Sequence, residues 1–343
     1  MSISRIVSLP YAYSAPECSG VIRHCPEDFR VDEISGIEPD GEGEHVLLQI
    51  RKRNSNTEWL AKQLARLASV AAKDVSYAGM KDRQAVTTQW FSVRLAGRDE
   101  PDWNELNSDE FEVLQVHRHR RKLRRGTLKG NRFELLVREL SCEPAWLEAR
   151  LENIKQQGVP NYFGEQRFGI DGSNLQQARA MFEGKRIKSR HQRSMYLSAA
   201  RSQLFNHVLS QRVEQQNWNQ AIPGDVMLLA GSNSFFVIDE VDNDIRQRVE
   251  TFDIHPSGVL WGRGQTESKN EAAEREAELA QEFPLFCQGL EKAGLSQSRR
   301  ALRVFPEKLE WTYRPEQKQL ALSFQLPAGA YATVVLRELV SCV

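Results

Sequence analysis

One carboxylate, that of Asp82, is the first candidate for chemistry in this sequence. Asp82 stands between Lys81 and Arg83, and an ionised carboxylate can attack an electrophilic carbon or remove a proton. Taken alone, the same tripeptide is typical of a surface loop in which the aspartate accepts hydrogen bonds from the local backbone. The spacing by itself does not decide between the two interpretations.

Charge is distributed unevenly, although 46 basic and 46 acidic residues give a formal net charge of zero. Acids cluster at residues 38–44 and 271–282, and basic residues cluster at 185–201 and between Gln115 and Arg132. Cations that are clustered together repel each other, and a bound anion relieves this repulsion. The pattern therefore predicts a positive face that holds a polyanion such as RNA. The cluster that ends at Arg132 contains eight cations and no acid, namely Arg118, Arg120, Arg121, Lys122, Arg124, Arg125, Lys129 and Arg132.

The motifs that usually hold a cofactor or a metal are missing from the sequence. There is no GxGxxG for a dinucleotide, no GxxxxGK[ST] for a nucleoside triphosphate, no HExxH and no GxSxG. His117 and His119 would share one face of a strand, but the arginines around them would repel a metal cation. We therefore interpret both histidines as RNA-facing or solvated, and we predict no metal site.

The cysteines and the apolar segments bear on the compartment. The five cysteines, at positions 18, 25, 142, 287 and 342, form no CxxC pair, and their odd number argues against a closed disulfide framework. No apolar run reaches transmembrane length, and the N-terminal segment is too short in its apolar part to be a signal peptide. We therefore expect a soluble protein in a reducing cytoplasm.

Periodicity predicts the elements that must position Asp82. The aspartate falls in a loop, between a helix with an apolar stripe and a β-rich segment. Strands are expected at residues 29–34, 46–50, 87–95, 226–230, 235–238 and 320–326. Helices are expected at 57–69, 144–157, 173–183 and 195–215, then predominantly up to about Gly294, and finally from Pro327 through Leu339. Strands near both chain ends suggest one sheet that is interrupted by an insertion.

Several segments together resemble one protein family. Residues 79–89 (GMKDRQAVTTQ) are similar to the GxKDxxAxTxQ signature of the TruD family of pseudouridine synthases, in which the aspartate is catalytic. The other matches follow in the family's order and extend the resemblance over nearly the whole chain. They are residues 26–33 (PEDFRVDE), 128–133 (LKGNRF), 161–169 (NYFGEQRFG), 197–202 (LSAARS) and 326–333 (LPAGAYAT).

The resemblance implies a fold and a division into domains. The expected class is α+β, with a pseudouridine synthase catalytic core built on a mixed, largely antiparallel sheet. Residues 1–156 and 306–343 would form this core. Residues 157–305 would form an inserted α/β TRUD domain that closes over a basic cleft.

The resemblance also implies roles for single residues. Asp82 would be the catalytic carboxylate, and its cationic neighbour would be Arg23, at a position where the family usually has lysine. Arginine stays charged, and its planar fork can hold a carboxylate through two nitrogens. Phe29 and Asn131 would contact the substrate, and Asn131 could read an edge of uracil.

Aromatic side chains complete the expected site, because a target base must leave its stack to reach the carboxylate. By resemblance, Tyr331 contacts the substrate at a position where the family commonly has phenylalanine. Phe133, together with Phe29 and Tyr331, could offer a stacking face for the extruded base.

The resemblance implies that the chain isomerises a uridine of tRNA, commonly the one at position 13, to pseudouridine. This reaction imports nothing and changes no oxidation state, so no cofactor is expected; the expected partner is tRNA, with no membrane and no obligate protein partner. The alternative of another class is a noncatalytic RNA-binding or RNA-folding module, which would use the same basic cleft but would not need Asp82. RNA methylation, a further alternative, would need S-adenosylmethionine.

Overall fold

The computed structural model describes residues 9–342 of the chain. These residues divide into two compact units, each assembled from separate segments of the sequence. The large-sheet unit contains residues 17–151, 306–332 and 339–342. The small-sheet unit contains residues 9–16, 152–305 and 333–338.

Both strands and helices occur along the whole range of described residues. The strands are β1 (Ser19–Val21), β2 (Phe29–Ser35), β3 (His45–Arg53), β4 (Val75–Tyr77), β5 (Val86–Arg94), β6 (Phe111–His119), β7 (Leu128–Ser141), β8 (Val159–Pro160), β9 (Val226–Leu229), β10 (Phe235–Val237), β11 (Ile254–Leu260), β12 (Ser298–Ala301), β13 (Arg303–Val304), β14 (Glu307–Arg314), β15 (Gln319–Pro327) and β16 (Ser341–Cys342). The α-helices are α1 (Thr57–Leu67), α2 (Pro144–Gln157), α3 (Ser173–Phe182), α4 (Arg190–Glu214), α5 (Asn243–Glu250), α6 (Asn270–Glu282), α7 (Pro284–Lys292) and α8 (Ala332–Leu339).

One mixed sheet forms the centre of the large-sheet unit. Seven strands lie in the order β14-β15-β7-β2-β5-β3-β6, and β1, β4 and β16 pair beside this path. The β2–β5 and β1–β16 pairs are parallel, and the other pairs are antiparallel. Strands from both ends of the chain therefore share one sheet, and the predicted α+β class with a largely antiparallel sheet is confirmed.

Helix α1 covers one face of this sheet. Leu60 and Leu64 of α1 are fully buried and belong to the same hydrophobic cluster as Phe91 of β5. The predicted helix is present, but it ends at Leu67 and not at residue 69. The reason is local, because Ser69 adopts a left-handed conformation with φ +51°, which ends a helix.

Helix α8 starts later than the sequence predicted. The backbone N–H of Ala330 donates to the carbonyl of Pro327 at 3.2 Å, and Gly329 has φ +83°. These residues form a turn, so the helix begins only at Ala332. Tyr331 therefore lies directly before the first helical residue.

The small-sheet unit combines helices with a four-stranded sheet in the order β10-β9-β11-β12 and a two-stranded β13-β8 pair. Helix α4 begins at Arg190, before the predicted residue 195, because the Ser189 hydroxyl accepts from the Gln192 N–H at 3.3 Å and caps the helix. Strand β11 contradicts the expectation that helices dominate here, because Pro256 and Gly258 hide its strand pattern.

Two of the five cysteines lie side by side, which the sequence did not predict. Cys18 and Cys142 have their Cα atoms 4.5 Å apart, a separation that a disulfide can span. Residues 19 and 141 are direct partners between β1 and β7, so strand pairing brings these two distant positions together. Cys25 and Cys287 are free.

Among residues 9–342, no helix combines the length and the apolar character that are needed to cross a bilayer.

Candidate active site

Asp82 lies in the loop that joins β4 to β5, and buried side chains hold this loop in place. The Lys81 N–H donates to the Thr57 hydroxyl at 3.1 Å, and the Gln89 side-chain amide donates to the Gly79 carbonyl at 3.1 Å. Thr57 donates in turn to Gln89 at 2.9 Å. Because Thr57 and Gln89 are buried, the loop that carries Asp82 has a rigid support.

Lys52 fixes the backbone of Asp82 itself. Its ammonium group is fully buried and donates to the carbonyls of Ser55 at 2.6 Å and Asp82 at 2.7 Å. Burial lowers the pKa of Lys52 to about 8, and the negative charge of Asp82 opposes this shift. The site therefore contains a second cation, which the sequence analysis did not identify.

Arg23 and Asp82 meet although 59 positions separate them. The Arg23 Nη2 donates to Asp82 Oδ2 at 2.9 Å, and their side chains are 17% and 39% exposed. The contact uses one nitrogen and one oxygen, so it is not the two-nitrogen fork that arginine allows. The other carboxylate oxygen of Asp82 accepts no hydrogen bond from any residue of the described chain.

The guanidinium of Arg23 also covers an aromatic ring. Its Cζ atom lies 4.1 Å from the ring centroid of Phe29, a distance at which a cation is attracted to a π-face. Arg23 itself has φ +57°. Arg23 thus links the candidate carboxylate to the first predicted substrate contact.

Lys81 is buried, unlike the neighbouring Asp82, and pairs with a residue of the sheet. Its ammonium lies 3.2 Å from the Glu33 carboxylate, and the two side chains are 5% and 2% exposed. Burial raises the pKa of Glu33, and the charge of Lys81 opposes that shift. In the Lys81-Asp82 pair, therefore, one charge anchors the loop and its neighbour faces outward.

Strand register lines up the residues around this anchor. Glu33 of β2 lies opposite Asn131 of β7, which in turn lies opposite Leu326 of β15. The side-chain oxygen of Asn131 is buried and has no hydrogen-bond partner among the described residues. Asn131 therefore keeps a free acceptor next to the Lys81–Glu33 pair, as a residue that reads a uracil edge would need.

The predicted stacking residues differ in their accessibility. Phe29 is 1% exposed and Phe133 is 6% exposed, and their rings pack edge to face at 6.4 Å. Phe133 also stacks on Phe324 at 5.4 Å. The rings of Phe29 and Phe133 both lie in the core of the large-sheet unit, whereas Tyr331 is only half-buried. Substrate contact by these three aromatics stays a prediction.

The interpretation of the first basic cluster is partly wrong. The sequence shows no acid within it, but the fold brings acids to it, so an external anion is not required at every cation. The salt bridges are Arg118–Glu100 at 2.5 Å, Arg132–Glu134 at 2.8 Å, His119–Asp40 at 2.7 Å and the very short Arg120–Glu42. His119 is consequently paired and largely buried, and only His117 remains exposed as predicted.

Sequence reasoning missed the residues that support the loop, but one signal for them was present. In β3, Leu48 and Ile50 are buried and Arg51 is exposed, so alternation puts Lys52 on the buried face. A lysine at a core position of a strand is unusual and indicates a specific partner. For Gln89 the signal was its place in the signature motif.

Nearly the whole chain is similar to known proteins. A family model described as tRNA pseudouridine synthase D (TruD) matches residues 6–177 and 173–339. The chain is similar to tRNA pseudouridine synthase D of Methylococcus capsulatus, at 53% identity over 97% of this chain and 94% of the relative. It is also similar to tRNA pseudouridine synthase D of Nitrosococcus oceani, at 50% identity over 97% and 93%.

A solved structure resembles the fold. The crystal structure of the putative tRNA pseudouridine synthase D (TruD) from Methanosarcina mazei superimposes with a TM-score of 0.72, covering 98% of this chain and 96% of the other. At 23% sequence identity, this likeness bears on the fold alone.

Proposed function

Because this chain belongs to the tRNA pseudouridine synthase D (TruD) family, we propose that it converts a uridine of tRNA to pseudouridine with Asp82 as its catalytic carboxylate. The observation that carries the proposal is the state of Asp82. Its backbone is held by Lys52, one carboxylate oxygen is held by Arg23, and the other oxygen is open to an incoming group. A carboxylate that is rigidly held and accessible suits covalent or acid–base chemistry.

The reaction needs little beyond such a carboxylate. The C1′–N1 bond of the uridine breaks, the uracil turns, C1′ joins C5, and the proton on C5 is lost while N1 gains one. The carboxylate would either attack C1′ and form a covalent adduct or remove a ribose proton to drive elimination. Every atom of the product except the exchanged protons comes from the substrate, so the chemistry calls for no redox partner.

The cations around Asp82 serve this role by orienting its carboxylate and by stabilising negative charge at the site. Arg23 supplies a positive charge at 2.9 Å, and Lys52 adds a second one through the backbone. We assign Arg23 to positioning and charge, and not to proton transfer.

The target nucleotide must leave its stack, at a cost of roughly a few kcal/mol. We propose that Asn131 and Tyr331 contact the extruded base, with Phe29 and Phe133 shaping the wall behind it. Asn131 has an unpaired acceptor, which could receive a hydrogen bond from the uracil N3–H.

The finer assignments follow the family. We propose uridine 13 of tRNA as the target, the cytoplasm as the compartment, and residues 157–305 as a domain inserted into the catalytic core. A tRNA transcript labelled with tritium at uracil C5 tests the target. Release should match one uridine per tRNA and should disappear when uridine 13 is replaced by cytidine, and release from another position would contradict this assignment.

The catalytic role of Asp82 is tested in the same assay. Asp82→Asn keeps the size of the side chain but removes its charge, so tritium release should stop while tRNA binding persists. Full release by the variant would rule out the carboxylate mechanism. A chain that binds tRNA but never releases tritium, even as wild type, would be the noncatalytic RNA-binding module. Turnover without S-adenosylmethionine separates isomerisation from methylation.

A further inference from the structure

A groove lies beside the candidate catalytic loop, wholly within the large-sheet unit. Helix α1, residues 72–77 and residues 122–125 form its walls, and its volume is about 840 Å³. Sites that hold small ligands commonly measure roughly 300–1,000 Å³. Tyr77 lines the groove and ends β4, and the loop with Asp82 begins at the next residue. The groove is thus adjacent along the chain to the candidate catalytic carboxylate.

The groove is strongly positive. Among its lining residues, Glu58 is the one acid against five cations, and none of the five forms a salt bridge with a carboxylate of residues 9–342. The middle of the basic cluster therefore differs from its ends, because Arg118 and Arg132 have acidic partners. Cations that have no acidic partner concentrate positive potential when they line a concave surface. The five are Lys62, Lys73, Lys122, Arg124 and Arg125.

The wall that carries the arginines is anchored. Leu123 is 3% exposed and packs with Leu47 and Trp90 in a hydrophobic cluster. Its N–H also donates to the Ser92 hydroxyl at 3.1 Å. Because a buried residue stands between Lys122 and Arg124, their backbone is fixed before any ligand arrives, which lowers the entropic cost of binding.

Two hydrogen bonds connect the groove walls to each other and to the catalytic loop. The Lys122 ammonium donates to the Lys73 carbonyl at 2.5 Å, across the groove. The Gly126 N–H donates to the Ala78 carbonyl at 2.8 Å, at the start of the loop that carries Asp82. A ligand held in the groove is therefore held at a defined place relative to this loop.

We propose that this groove binds the phosphate backbone of the substrate RNA close to the target uridine. The proposal rests on the proposed function, which makes RNA the polyanion that reaches this loop. A nucleic-acid strand offers one phosphate per nucleotide, and rows of Lys and Arg are the usual partners of such a strand. The groove would grip the strand while Asp82 acts on the extruded base.

The test compares binding of an unmodified tRNA transcript by two triple variants, both made in an Asp82→Asn background so that no turnover occurs. The groove variant is Lys73→Gln, Arg124→Gln and Arg125→Gln. The matched control is Arg98→Gln, Lys308→Gln and Arg314→Gln. The control removes the same charge from exposed residues of the same unit that form no described salt bridge.

The groove variant should bind tRNA at least about 10-fold more weakly than the background, because each phosphate contact contributes to affinity. The slope of log Kd against log salt should fall by about 2, since each lost contact removes roughly 0.7–0.9. The control should change Kd by less than about 3-fold. Equal effects of the two triple variants would overturn the proposal.

Two further measurements test whether binding depends on the charge of the groove and which tRNA phosphates the groove contacts. Arg124→Lys with Arg125→Lys keeps the charge and should bind within about 3-fold of the background, and a loss as large as that of the groove variant would exclude a phosphate site. Ethylation of tRNA phosphates should interfere near the target uridine, and this interference should vanish in the groove variant; interference confined to distant phosphates would contradict the placement.

With Asp82 intact, the groove variant should raise the KM for tRNA in the tritium-release assay by about 10-fold or more, in line with its weaker binding. An unchanged KM would contradict a role of the groove in binding the substrate. A wild type that binds through the groove but releases no tritium would refute the proposed function and leave the groove as an RNA site.

Discussion

Two pairs of arginine and aspartate show how the same residue types serve different ends in the two units. In the large-sheet unit, Arg23 donates one hydrogen bond to Asp82, whose side chain is 39% exposed. In the small-sheet unit, Arg212 and Asp225 are 3% and 2% exposed, and two nitrogens of Arg212 donate to both oxygens of Asp225. The first pair leaves a carboxylate oxygen open, and the second leaves none.

The surroundings reinforce this difference. Asp225 also accepts from the Ile222 N–H at 2.9 Å, and Arg212 donates to the carbonyls of Asn217 and Gln220. Burial raises the pKa of Asp225, and the charge of Arg212 opposes the shift. A saturated, buried pair fixes local structure, whereas a carboxylate with a free oxygen and access to solvent can react. Accessibility and spare hydrogen-bonding capacity, more than residue type, distinguish the candidate catalytic pair.

The largest expected difference concerns turnover. Asp82→Asn should lower the rate of tritium release from tRNA by at least about 10³-fold, because it removes the group that attacks or accepts the proton. Asp225→Asn, measured per folded molecule at a temperature below its unfolding transition, should keep the rate within about 3-fold of wild type. If both variants lost a similar fraction of the rate of tritium release, the free oxygen and the exposure of Asp82 would not distinguish a catalytic pair from a structural pair.

Stability should respond in the reverse order. Arg212→Gln leaves a buried carboxylate without its cation and should lower the free energy of unfolding by about 3–5 kcal/mol. Arg23→Gln removes a partly exposed, singly bonded partner and should cost at most about 1 kcal/mol. Urea unfolding followed by circular dichroism measures both. A larger cost for Arg23→Gln would mean that Arg23 is mainly structural.

Charge and shape of the counter-ion can be separated at Arg23. Arg23→Lys keeps the positive charge and should retain release within about 10-fold of wild type, whereas Arg23→Gln should lose about 10- to 100-fold because Asp82 loses its cation. The difference in kcat between the two variants provides the diagnostic readout, since only Arg23→Lys keeps a cation beside Asp82. An equal loss of kcat in both variants would exclude the electrostatic role.

A small effect on the pH dependence of stability is expected from Lys52. Its pKa is lowered to about 8, whereas the pKa of a lysine in an unfolded chain is about 10.4. Between these values the folded protein has released a proton that the unfolded chain still holds, so stability should rise with pH in this window, by at most about 1.4 kcal/mol per unit.

Urea unfolding at about pH 7.5 and about pH 9.5 measures this slope, and the difference attributable to Lys52 should be about 1–2 kcal/mol. Lys52→Met should remove it, and Arg212→Gln, in the other unit, should leave it in place. If Lys52→Met kept the wild-type slope, another group would have to be its source.

Local periodicity was enough to predict much of the fold. The stripe of Leu60 and Leu64 predicted α1, and alternation predicted strands β2, β3 and β15, because side chains repeat every 3.6 residues in a helix and every two in a strand. Boundaries failed where single residues decided them, as at Ser69 and Ser189. Both errors concern one cap or one left-handed residue, which periodicity does not report.

The loop position of Asp82 and its membership in a motif could also be recognised in the sequence. Arg23 was identified as its cationic neighbour through the family resemblance. Lys52, and the Glu33 that pairs with Lys81, were not identified, because they come from other segments and reach the loop only when the strands pair in register. The pairing of acids with the basic cluster follows the same rule. Electrostatic energy depends on distance in space, so Glu100 neutralises Arg118 although no local pattern connects them.

The sequence by itself therefore determined the class of fold, the elements around Asp82 and, through its motifs, the family. Only the tertiary structure decided which charges are paired, which carboxylate keeps a free oxygen, and which cations remain open in a groove. The physical reason is that secondary structure responds to neighbours a few residues away, whereas burial and pairing depend on long-range strand register.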